Sequence, residues 1–145
     1  MSEMNFSFDL NSNKDKFFDI LTDYQNLTEY MPRQLQEISI IEEKEDYTII
    51  ESKILLRSII KKEFSQRLKV HVDSEKKILL EILDGVAKGT RSIISFQKHE
   101  QKDICNINTN VKLSLKAVIL HPIIKKEYKG FLTKVSRNIM GKINE

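Results

Sequence analysis

Lys16-Phe17-Phe18-Asp19-Ile20-Leu21-Thr22-Asp23-Tyr24-Gln25-Asn26-Leu27-Thr28-Glu29-Tyr30-Met31-Pro32 decides how the chain is read. Phe17, Phe18, Ile20, Leu21 and Tyr24 recur at helical spacing and make one apolar stripe. A tight corner follows, then a second short helix opened by Gln25 or Asn26. Pro32 ends that helix by disfavouring the helical conformation at Met31. On the N-terminal side, Met4, Phe6, Phe8 and Leu10 alternate with Asn5, Ser7 and Asp9, the pattern of a strand with one buried face. Between the two, Ser12 is the expected N-cap, with Asp15 three positions on.

After Leu35 the apolar period falls from about 3.6 to about 2, as expected on passing from helices into a sheet. Strands are expected at 35–42, 47–56, 64–72, 77–83 and 90–98, with a last one through Cys105, Ile107, Thr109, Val111, Leu113 and Leu115. Short connections between them imply antiparallel meander pairing. Seven strands in one sheet must twist and curl, which gives a concave face. Pro122 opens the only long helix, whose stripe is Ile123, Ile124, Tyr128, Phe131, Leu132, Val135, Ile139, Met140 and Ile143. At 1.5 Å per residue it spans roughly 33 Å, enough to cross most of a small sheet. The expectation is an α+β chain forming one domain over 1–145: a seven-stranded curved antiparallel sheet around a long C-terminal helix, with two short helices after the first strand.

The 145 residues suffice for a core without staples. One cysteine makes no internal disulfide, which suits a reducing compartment. The first ten residues lack the pattern of a signal peptide, and no apolar run approaches a membrane span, so a cytoplasmic protein is expected. Net charge is +3, but six basic residues against two acidic ones fall between Pro122 and Glu145: Lys125, Lys126, Lys129, Lys134, Arg137 and Lys142. The basic character therefore belongs to one helix, where a solvated face competes with attraction to anionic headgroups. No aromatic residues interleave with those charges as base stacking requires, so nucleic acid is not the expected partner.

The order of elements resembles the helix-grip fold of the START/polyketide-cyclase superfamily, in its coenzyme Q-binding and polyketide-cyclase-like branch. Three segments carry the resemblance: 17–32, with the form L-T-D-Y-x-N-L-x-E-Y-M-P; Phe64 to Val72; and Tyr128 to Met140. Branch members commonly place a bulky aromatic early in the sixth strand, where this chain has Arg91-Ser92-Ile93, and a glycine at the corner occupied here by Arg57-Ser58. The resemblance implies an internal cavity for a lipid, quinone or polyketide-like compound.

Residue by residue, the chemistry is sparse. His71, His99 and His121 show no metal-ligand spacing, and His121 alone is placed to reach a pocket rim. Cys105 falls on the apolar face of its strand, where cysteine packs as a small hydrophobe. Gly85 and Gly89 bracket a turn without phosphate-loop context. Gln66 interrupts the inward row Phe64, Leu68, Val70, Val72, and a buried amide needs a partner. The expected pocket residues are Phe64, Gln66, Leu68, Ile107, Thr109, Val111, Tyr128, Phe131 and Val135. The expected function is binding, with transfer as an extension, of a small hydrophobic ligand, with no cofactor, no metal and no catalytic residue. Peripheral membrane contact through the basic helix would accompany it, and the oligomeric state is left open. An enzymatic alternative, a cyclase or dehydratase, would draw on Gln66, Tyr128 and His121. A third, an interaction module for a ribosome, RNA or protein partner, requires a filled interior.

Overall fold

The computed structural model describes residues 2–11, 13–32, 35–56, 62–115 and 118–144. Strand β1 (Ser2–Asp9) leads into helix α1 (Lys14–Thr22) and a single 3-10 turn (Leu27–Tyr30). Then come β2 (Leu35–Glu43), β3 (Thr48–Leu56), β4 (Lys62–Val72), β5 (Ile78–Ile82), β6 (Arg91–His99) and β7 (Lys102–Val111). A second 3-10 turn (Val118–Leu120) precedes the long helix α2 (His121–Ile143).

The seven strands form one sheet in the order β1-β7-β6-β5-β4-β3-β2, every pair antiparallel. From β2 to β7 the chain is a plain meander. β1 lies beside β7, so it and β2 occupy opposite edges. The stretch from α1 to Pro32 must therefore carry the chain across the whole sheet, and it does so with its apolar stripe turned inward. Phe17 and Phe18 both meet the ring of Phe96 edge-on, at centroid distances of 6.3 and 6.2 Å. These offset geometries suit the aromatic quadrupole.

Period-two alternation sets the inner face. In β7, Cys105, Ile107, Thr109 and Val111 are buried while Asn108 and Asn110 are exposed. The register then builds inward rows across strands: Met4 opposite Thr109, Thr109 opposite Ser92, Ser92 opposite Leu80, and Leu80 opposite Val70. Ser52 faces Gln66, and Ile50 faces Leu68, in the adjoining part of the sheet. Helix α2 lies against this concave surface, burying Val135, Ser136 and Ile139. Asn138 Nδ2 donates to the Tyr30 carbonyl at 2.9 Å, fastening the helix to the first 3-10 turn.

Two local expectations need correcting, and one passes out of view. Ser12 lies outside the described residues; the capping residue is Asn13, which makes no side-chain cap bond. A carboxylate distant in sequence serves the helix start instead: Asp103, buried on β7, accepts from Lys14 N–H at 3.2 Å. β7 also stops at Val111 rather than continuing through Leu115. Ser114 N–H donates to the Val86 carbonyl at 2.8 Å, so the segment peels away toward the β5–β6 loop instead of extending the ladder. The corner at Arg57-Ser58 lies outside the described residues.

Candidate functional site

Between the concave sheet and α2 lies a cavity of about 370 Å³, within the range of about 300–1,000 Å³ common for ligand sites. Phe17, Leu21, Tyr24, Leu27 and Met31, from α1 and the turn that follows, wall one end. Of the residues expected in a pocket, Gln66 and Leu68 from β4, Ile107, Thr109 and Val111 from β7, and Tyr128, Phe131 and Val135 from α2 line the cavity. Phe64 is on β4, but its side chain lies outside the described ones.

Polar groups gather at two points. On one wall, Thr109 Oγ1 is 2.8 Å from Ser92 Oγ and 2.9 Å from Tyr128 Oη, with 3.4 Å between Ser92 Oγ and Tyr128 Oη. The register brings the first two together across β6 and β7, and Tyr128 reaches them from the helix. The Phe6 ring meets that of Tyr128 at 5.9 Å and 75°, holding the phenol in place. Each hydroxyl carries one proton to donate and lone pairs to accept with. Such a cluster satisfies itself when alone, and it releases a donor by rotation when an acceptor arrives. At the second point, Gln66 lies beside Ser52, whose hydroxyl donates weakly to the Gln66 backbone carbonyl at 3.5 Å. The amide of Gln66 is thus a polar group on an otherwise apolar part of the wall.

No lysine, arginine or histidine among the described residues lines the cavity. The titratable groups on the wall are Tyr24, Glu127 and Tyr128. Burial, followed by the charge of Glu43, pushes the Tyr24 phenol above its ordinary value, so it stays neutral. His121 is not on the wall, which removes one of the three groups expected of an enzyme; its Nε2 is buried with no hydrogen-bond partner among the described residues. Cys105, on the inner face of β7 but off the cavity wall, is fully buried, and desolvation pushes its thiol up to about 12, leaving no thiolate for nucleophilic work. Among the described residues no group of three His, Cys, Asp or Glu side chains is placed to hold a metal. No described helix is long and apolar enough to cross a membrane.

Ser92 and Ser52 also line the cavity, beyond the residues expected there. Both stand on inward rows that alternation alone assigns, Ser92 beside Ile94 and Ser52 beside Ile50. The available signal was a small hydroxyl among branched residues on a face turned toward the interior.

Solved structures of the same architecture are numerous, and their agreement with this sheet and helix settles the fold. The chain has a helix-grip fold. A protein of Thermus thermophilus superimposes with a TM-score of 0.81 at 8% identity, covering 98% of this chain and 97% of that one. A START superfamily protein from Mycobacterium smegmatis gives 0.76 at 11% identity, over 98% and 97% of the two chains. An aromatase/cyclase from a Streptomyces species gives 0.69 at 10%, over 97% and 92%. At these identities the likeness establishes the helix-grip architecture and nothing finer. No family model matches the chain, and no curated protein matches it by sequence.

Proposed function

We propose that this helix-grip chain binds a small, neutral, mostly apolar molecule carrying at least one hydrogen-bonding oxygen. One observation carries the reading: a mostly apolar chamber of about 370 Å³ whose wall carries the hydrogen-bonded Ser92–Thr109–Tyr128 hydroxyl cluster, with Gln66 and Ser52 apart from it. A wall this apolar gains when an apolar guest covers it, and its few polar groups set what that guest must offer.

Charge defines the occupant further. A carboxylate drawn deep into this chamber would meet no lysine, arginine or histidine among the described lining residues. Burying an unpaired anion costs several kcal/mol, so a fatty acid held with its carboxylate inside is disfavoured. A ketone, quinone or phenol meets the requirement, because a hydroxyl cluster donates to a carbonyl and accepts from a phenol equally well. Neutral lipids, quinones and polyketide-like compounds remain within this class.

The test is a fluorescence titration with prodan, a neutral apolar ketone, beside a fatty acid of similar length. Prodan should saturate at one site and the fatty acid should compete poorly. Val111→Trp, which fills the chamber from β7, should weaken prodan binding by more than about tenfold while circular dichroism and melting stay near wild type. Equal binding of prodan by Val111→Trp, or a preference for the fatty acid, would refute the assignment.

A further inference from the structure

The β5–β6 loop and the segment between β7 and α2 meet at one end of the cavity, tied by the Ser114 N–H bond to the Val86 carbonyl. Val86, Leu113 and Ile124 line the chamber at this end. Around them the surface is unusually apolar. Leu115 is 95% exposed and Ile119 84%, while Val86 and Val118 are about half exposed and Ile123 is also open to solvent. Single exposed apolar side chains are ordinary, but a cluster at the mouth of an apolar chamber marks an interaction surface.

Charge identifies what that surface meets. Lys88, Lys112, Lys125, Lys126 and Lys129 are exposed on the same loops and on the first turns of α2. None of them belongs to an ion pair among the described residues, whereas some lysines on the sheet do pair, as in Lys53–Glu37 and Lys102–Asp9. Projecting apolar side chains on the same segments as unpaired lysines match the two layers of an anionic bilayer surface.

We propose that this end of the molecule docks on an anionic membrane. Leu115 and Ile119, flanked by Val118 and Ile123, enter the boundary between headgroups and acyl chains, and the five lysines meet the anionic headgroups. The chamber mouth then opens onto apolar lipid, so a cargo enters or leaves without crossing water. Only this last step rests on the binding function proposed above; the docking does not.

The geometry also narrows the expected contact through the basic helix. Beyond Ile123, the apolar stripe of α2 faces the cavity and the core, with Val135 and Ile139 buried. The outward face of its later turns is polar, with Thr133, Lys134, Arg137 and Asn138 exposed. Arg137 lies roughly 16 Å along the axis from Lys126, beyond a Debye length of about 8 Å at physiological salt. The helix therefore does not lie flat on the membrane; the molecule stands on its first turns.

The experiment is co-sedimentation of the full chain with phosphatidylcholine vesicles, with and without phosphatidylserine, across a salt series. Binding should require phosphatidylserine and weaken as salt rises. Leu115→Asp with Ile119→Asp should reduce it by about tenfold or more. Lys125→Glu with Lys126→Glu should do likewise, while Lys134→Glu with Arg137→Glu should stay within about twofold of wild type. Prodan uptake, measured on each variant, should be unchanged, which separates failure of docking from failure of the pocket. Three outcomes would overturn the proposal: no binding of the wild-type chain to phosphatidylserine vesicles, equal losses from the two charge-reversal pairs, or a wild-type dimer that Ile119→Asp dissociates while vesicles stay unbound.

Discussion

Thr109 is the residue on which the polar chemistry of the chamber turns, because its hydroxyl lies within 2.9 Å of both Ser92 and Tyr128. Thr109→Val keeps the branched shape and removes the hydrogen bonds. The expected result is a folded protein whose prodan affinity falls by roughly three- to tenfold, the worth of about one net hydrogen bond. Affinity for a pure hydrocarbon probe such as diphenylhexatriene should hold. Equal losses for both probes would mean that the change acts through shape alone. Cys105 offers a second reading at this scale. Its thiol is held near 12 against an ordinary 9.0, so the folded chain keeps a proton that the unfolded chain gives up above about pH 9. Stability from this group is complete below pH 9 and falls as pH rises from about 9 to about 12. Urea unfolding of Cys105→Ala against wild type should show the alkaline loss reduced in the variant.

At the scale of elements, α2 is held by what it buries. Ile139 is fully buried between the helix and the sheet, and Ile139→Ala should cost about 2–5 kcal/mol in urea unfolding. Asn138→Ala, which removes the tie to the Tyr30 carbonyl, should cost about 1 kcal/mol. The elements themselves were largely legible. Alternation in Cys105, Ile107, Thr109 and Val111 and the corner ending at Pro32 each reflect a local periodicity that the fold keeps. What escaped local reading was long-range. The donor of Lys14 is satisfied by Asp103, 89 positions away, which no capping pattern can reveal. β7 ends early because Ser114 finds an acceptor in another loop, although Leu113 and Leu115 prolong the alternation. That same departure leaves Leu115 in solvent instead of in a strand.

At the scale of the molecule, sequence order was enough to anticipate a curved sheet gripping one helix, because seven strands with short links allow few alternatives. The wall residues on β4, β7 and α2 follow from the same periodicities. Whether the interior is filled depends on how tightly the sheet curls and how deeply α2 settles, and neither quantity is written in any one segment. A chamber of about 370 Å³ answers that question and weighs against an interaction module with a closed core. The three hydroxyls meet only because β6, β7 and α2 converge, so the cluster becomes visible in three dimensions alone. Native mass spectrometry after equilibrating the chain with a mixture of neutral quinones, aromatic ketones and fatty acids tests the central claim most directly. One bound molecule per chain is expected, a neutral oxygen-bearing compound, lost in Val111→Trp. A fatty-acid adduct in preference to the neutral compounds, or an adduct retained by Val111→Trp, would contradict it.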